Sequence, residues 1–153
     1  MMDSIASALD ESCVKLELAA RKKPDIIREL VELLANAGRI TDANEVTRQV
    51  MERESMTTTG IGGGIAIPHC LSQAAPDTVL AFGRHPKGAK FDAVDKRPVR
   101  LFFLMVGPPG AHNEHLRLLS RLARYLHDPG LKDALLDAES ADEVVRLFTE
   151  REG

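Results

Sequence analysis

"VRLFFLMVGPPG", residues 99–110, sets an apolar run broken only by Arg100 against a stop built of two glycines and two prolines. A half-buried strand would alternate apolar and polar positions, so 99–106 predicts a strand buried on both faces, at the centre of a helix-covered sheet. The apolar core LFFLMV (101–106) is far shorter than the ~20 residues a helix needs to cross a bilayer. GPPG (107–110) ends the strand, and a helix is expected soon after it.

Outward from this strand, TVLAFGRH (78–85) predicts a second strand and IAI (65–67) a short buried one. Pro68 closes the latter, because proline has no amide hydrogen to give a ladder. VKLEL (14–18) alternates apolar and polar residues, as a half-buried strand does. HPKGAKFDAVDKRP (85–98) is rich in turn formers and reads as a connection with at most an edge element.

Between the strands lie helical patterns. From Pro24, residues Ile26, Ile27, Leu30, Val31, Leu33, Leu34 and Ala37 recur at helical spacing, with Gly38 as the stop. A second helix is expected from Thr41 or Asp42 to about Met56 on a stripe of Ala43, Val46 and Val50. A third follows GPPG on His115, Leu119, Leu122 and Leu126. Another fits 131–137, and Ser140 with Glu143 forms the capping-box signature of the last. Strands interleaved with helices on one core give an α/β class, and 153 residues suit a single domain over 1–153.

The formal net charge of -3 argues against a general nucleic-acid surface, which needs clustered Lys and Arg. With 44% hydrophobic and 28% charged residues the composition is globular rather than disordered, and without Trp the core is left to aliphatics. MMDSIASALDESCVK (1–15) shows neither a basic n-region nor a continuous apolar h-region, so no secretory leader is expected. A cytoplasmic protein without membrane insertion follows, with Cys13 and Cys70 as free thiols.

"GIGGGIAIPHC" (60–70) carries the candidate chemistry. Consecutive glycines accept positive φ and can turn amide groups on an anion, which makes Gly62, Gly63 and Gly64 a candidate phosphate cradle. Pro68 would then deliver His69 rigidly at a strand end. The plainer reading, a glycine turn followed by a hydrogen-bonded loop histidine, stays open on these residues alone. The stretch lacks the last glycine of GxGxxG, and no GxxxxGK[ST] occurs, so any phosphoryl donor is not a nucleotide. Arg53 follows Val46 and Val50 on the buried stripe and points inward, either to a structural carboxylate or to an anion. His69, Cys70, His112 and His115 are residue types that bind zinc, although HNEH (112–115) is not a strong metal motif.

"ERESMTTTGIGGGIAIPH" resembles the active-site segment of the enzyme IIA domains of the fructose and mannitol class in the phosphoenolpyruvate phosphotransferase system. "KFDAVDKRPVRLFFLMVGPPG" and "HLRLLSRLARYL" resemble the second half of that family, particularly its nitrogen-regulatory branch. The resemblance implies a three-layer sandwich, a mixed sheet flanked by helices. It implies a phosphocarrier whose His69 takes a phosphoryl group from the phosphohistidine of HPr or its nitrogen-branch counterpart, without metal or cofactor. Arg53 and His115 match the family's site arginine and second histidine. The acceptor implied is a regulatory protein or, for sugar uptake, the cysteine of a IIB domain; the absence of a fused IIB or membrane segment in this sequence leans toward regulation. Two positions depart from the pattern: Gly63 stands where relatives commonly have Asn, and Cys70 replaces the small residue that usually follows the histidine.

Overall fold

In the computed structural model residues 4–153 are described; the reading of the amino terminus rests in part on residues 1–3, which lie outside them. The chain begins with α1 (Ile5–Ala8), β1 (Leu9–Lys15), α2 (Lys23–Asn36) and α3 (Ala43–Met56). Four strands follow, β2 (Gly60–Gly62), β3 (Ile65–Ala66), β4 (His69–Leu71) and β5 (Val79–Ala89). Then come β6 (Val99–Gly107), α4 (His112–Leu126), α5 (Pro129–Asp137) and α6 (Ala141–Glu152).

The sheet is mixed, as expected, in the order β1-β5-β6-β3-β2, with β4 pairing β6 beyond β3. β6 is its centre. It runs antiparallel to β5 and parallel to both β3 and β4. Phe102, Leu104 and Val106 enter one core with α2 and α3, while Leu101, Phe103 and Met105 enter another with α4, α5 and α6. The period of two along a strand makes one apolar run serve both faces, and the three layers follow.

The helix boundaries lie close to the capping signals. Asp42 caps α3 by accepting from Glu45 N, and Ser140 caps α6 by accepting from Glu143 N. The stop at Gly38 has φ +72, which glycine alone adopts without a Cβ penalty. On α4 the buried stripe is His115, Leu118, Leu122 and Leu126, with Leu119 only partly buried.

Three strand expectations shift, the first being that β5 runs past His85 to Ala89, into the stretch read as a connection, because Ala89 pairs with Val99. The first strand is Leu9–Lys15, five residues earlier at its start than the alternating VKLEL suggested, because it pairs in parallel with Leu80–Gly83. Pro68 does not close its strand for good. It interrupts it: β3 stops, the Pro68 carbonyl still accepts from Met105 N at 3.0 Å, and β4 resumes along β6 at His69.

Candidate functional site

His69 sits on β4 with Met105 as its partner on β6, and its ring is half-buried. Its Nδ1 lies 2.7 Å from the Ile67 carbonyl oxygen, two residues back. A carbonyl only accepts, so Nδ1 carries the proton and Nε2 keeps a free lone pair. Burial lowers the pKa of this imidazole; the Ile67 carbonyl opposes the shift, the Arg53 charge adds to it, and Glu54 opposes it. The ring is therefore neutral and nucleophilic at neutral pH.

His115, in the first turn of α4, is buried, and its ring centroid lies 5.8 Å from that of His69. Neither of its ring nitrogens has a hydrogen-bond partner. Burial first, and then the neighbouring His69 and His112, push its pKa down to about 4. Two uncharged imidazoles thus face each other. The start of α4 has no side-chain cap, so its free amide groups add a favourable end for an anion.

Arg53 ends the buried stripe of α3, half-buried in the last turn. The structural carboxylate partner does not exist among the described residues, where Arg53 makes no ion pair or hydrogen bond. Its neighbour Glu54 takes that part instead. Buried, Glu54 pairs with Lys23 at 2.9 Å and accepts from Thr59 N at 2.8 Å, which fixes the chain leaving α3. The guanidinium is left as an uncommitted charge felt at His69.

The glycines are elsewhere. Gly62, Gly63 and Gly64, at φ +94, +67 and +80, form the tight turn between antiparallel β2 and β3. Gly63 N donates to Asp95 Oδ2 at 3.0 Å, and the Gly64 carbonyl accepts from Arg100 and Leu101 at the start of β6. Ile65 pairs with Leu101 and His69 with Met105, so the turn, which ends at Gly64, lies at least five residues, about 16 Å at ~3.3 Å per residue, from His69. A cavity of about 390 Å³ at that end is lined by Ile61, Gly63, Leu126 and Lys132, far along α4 from His115. The expected cradle around His69 is not formed, because the glycines' positive φ is spent on the hairpin.

Cys70 points into the core shared with α2 and α3, the face opposite to His69, and burial raises its pKa to about 12. Successive strand residues face opposite ways, so Cys70 and His69 cannot share a metal. Among the described residues no three His, Cys, Asp or Glu side chains converge. No helix there is long and apolar enough to cross a membrane.

Sequence reading overlooked two residues at this site, Thr78 and Gly107. Thr78 is buried just before β5, and Gly107, read as punctuation, ends β6 beneath His115. Nothing in the sequence distinguishes Thr78 from any strand-edge threonine. A glycine closing an otherwise bulky strand is the one signal that pointed to a close approach.

Residues 7–151 match the family described as phosphoenolpyruvate-dependent sugar phosphotransferase system, EIIA 2. The chain is 34% identical over 148 residues to the fructose-specific EIIABC component of Bacillus subtilis, covering 97% of this chain and 23% of that protein. It thus spans about a quarter of that relative's length. It is 36% identical over 140 residues to the fructose-specific EIIA component of Haloferax volcanii, covering 88% and 91% of the two. Among solved structures, the nitrogen regulatory protein IIA-Ntr of Neisseria meningitidis superposes with a TM-score of 0.88 at 30% identity, covering 94% of this chain and 98% of that one. The Escherichia coli mannitol enzyme IIA, solved in complex with phosphorylated mannitol enzyme IIB, has a TM-score of 0.77 at 26% identity, covering 92% and 96%.

Proposed function

Because the chain belongs to the phosphotransferase-system EIIA 2 family, we propose that it works as a phosphocarrier with His69 as the phosphoryl-accepting residue, acting as one domain over 1–153. The observation that carries the reading is the 2.7 Å contact between His69 Nδ1 and the Ile67 carbonyl, which leaves Nε2 of a neutral ring open to attack.

The Nε2 lone pair forms the new N–P bond as the N–P bond of the donor's phosphohistidine breaks and its electron pair returns to the donor imidazole. No proton has to leave, since Nδ1–H stays with Ile67. The loose transition state asks for positioning and charge more than for covalent help. Arg53 offers its guanidinium to the phosphoryl oxygens, His115 an imidazole N–H, and the start of α4 its amide groups. The donor is an HPr-like phosphocarrier in the cytoplasm, and the chain is a stoichiometric carrier rather than a turnover enzyme.

For the onward step we favour a regulatory protein target, which the likeness to IIA-Ntr across nearly the whole of both chains supports. A second reading, delivery to the cysteine of a sugar-specific IIB, is supported by the 36% identity to a fructose-specific EIIA component.

Incubation with phosphoenolpyruvate, enzyme I and HPr should give an acid-labile phosphoryl adduct on the wild type and none on His69→Ala. Full labelling of His69→Ala would remove the assignment. Rapid loss of the label to a purified IIB domain would decide for sugar transport; retention across a panel of IIB domains would decide for regulation.

A further inference from the structure

Glu54 follows Arg53 in the last turn of α3, and its carboxylate is buried. Lys23 Nζ lies 2.9 Å from Oε2, which also accepts from Thr59 N at 2.8 Å, while the Thr59 hydroxyl donates to Oε1. Thr59 is buried as well, so its two bonds to the carboxylate are charge-assisted and shielded from water. Two further bonds carry this grip to the site. The Thr59 carbonyl accepts from Ile67 N at 3.0 Å, and the Ile67 carbonyl accepts from His69 Nδ1 at 2.7 Å. On the other side of Ile67, the Pro68 carbonyl accepts from Met105 N at 3.0 Å. The carbonyl that faces the His69 ring is therefore held between two anchored peptides, and one of the anchors leads back to Glu54.

We propose that Glu54 is a positioning residue: through Thr59 and Ile67 its carboxylate holds the carbonyl that keeps the His69 proton on Nδ1, and it fixes the helical turn that carries Arg53. The proposal rests on the phosphocarrier reading and adds to it the device that sets the nucleophile. A neutral imidazole has one donor and one acceptor nitrogen, and the acceptor facing Nδ1 decides which is which. If the Ile67 carbonyl swings away, part of the population carries its proton on Nε2, where no lone pair is left to attack phosphorus. Residues 53 and 54 are consecutive on α3, so the bonds that seat Glu54 also limit where the Arg53 backbone can go. One buried carboxylate thus references the nucleophile and the site cation to each other.

The test uses the full chain labelled with ¹⁵N, in which two-bond ¹H–¹⁵N spectra at pH 7.5 read each ring's tautomer without any phosphoryl donor. Loss of the Glu54 charge lowers the His69 pKa further, so the ring is neutral in wild type and variant and the spectra report tautomer alone. The wild type should show Nδ1–H at His69. Glu54→Gln should shift His69 to a mixture and slow its phosphorylation about tenfold, the worth of one hydrogen bond to a charged group. Thr59→Val, which keeps the shape but loses the hydroxyl, should move both readings the same way, and Thr59→Ser should restore them. Far-UV circular dichroism checks that each variant is folded, and if Glu54→Gln is not, Thr59→Val decides alone. A wild-type His69 in the Nε2–H form would overturn the proposal. So would a folded Glu54→Gln protein in which either the spectrum or the rate is unchanged, since a merely structural carboxylate would cost stability and leave both alone. No labelling of wild-type His69 would sink the phosphocarrier reading instead, and the ring spectra would then still decide whether Glu54 holds the tautomer of His69.

Discussion

The rings of His69 and His115 stand 5.8 Å apart, centroid to centroid, with their planes tilted by 53°. His115 makes no hydrogen bond to His69 in this arrangement, which leaves the space between the rings to a group carried on Nε2. His115→Ala should slow phosphorylation of His69 by roughly 100- to 1000-fold, the usual cost of one preorganised donor. Arg53, half-buried and more solvated, should fall at the lower end of that range on substitution by Ala. Arg53→Lys should recover only part of the rate, since an ammonium lacks the planar fork. Rapid-quench transfer of labelled phosphoryl from HPr measures all three; rates equal to wild type would separate these residues from the chemistry.

The glycine turn makes the opposite prediction. Gly64 has φ +80 and no atom nearer than 3.9 Å to an added Cβ, so Gly64→Ala meets backbone strain rather than a clash. It should cost about 1 to 2 kcal/mol in urea unfolding, the penalty of a left-handed L-residue. Transfer to His69, five residues and about 16 Å away at ~3.3 Å per residue, should be unaffected. A loss of transfer rate in the folded variant would return the glycines to the site.

How much of this was legible follows from where the constraint was local. Asp42, Ser140 and Gly38 act within one helical turn, so the helix ends could be read from the chain. The two-sided strand at 99–106 carried its burial in its own residues, and the layers followed from it. The rest needed partners distant in sequence. β1 is set by its parallel pairing with β5, and β4 exists because β6 offers a ladder past Pro68. At the site, His69, Arg53 and His115 were named from spacing and resemblance, whereas the glycines' neighbours, Asp95 and Lys132, decide that the turn is a hairpin tip. Thr78 and Gly107 come together only because antiparallel β5 begins beside the end of β6.

Cys70 should be inert despite adjoining His69 in sequence. Burial holds its thiol near a pKa of about 12, and at pH 8 only about one molecule in ten thousand carries the reactive thiolate. Cys13, also buried, has its pKa raised mainly by desolvation. Ellman's reagent at pH 8 should label neither in the native protein and both in urea. Fast labelling of one thiol in the folded wild type, lost in Cys70→Ala, would show instead a cysteine open to oxidation.

Acid should weaken the fold through His115. Its pKa falls from 6.5 unperturbed to about 4, chiefly by desolvation. Above pH 6.5 the ring is neutral in both folded and unfolded chains, and stability is at its full value. Between about pH 6.5 and 4 the unfolded chain binds a proton that the folded ring refuses, so stability drops as pH falls; below 4 both forms are protonated and the loss levels off. The interval corresponds to roughly 3 kcal/mol at 1.36 kcal/mol per unit. His69, shifted the same way, adds to the slope. Carboxylates also titrate in this range, but they do so in His115→Gln as well, so the variant isolates the histidine. Urea unfolding at pH 7.5 and 4.5 should show the wild type losing about 2 to 3 kcal/mol more than His115→Gln between the two conditions. Equal losses would mean that this ring takes up a proton as readily in the folded as in the unfolded chain, and the neutral donor facing His69 would have to be given up.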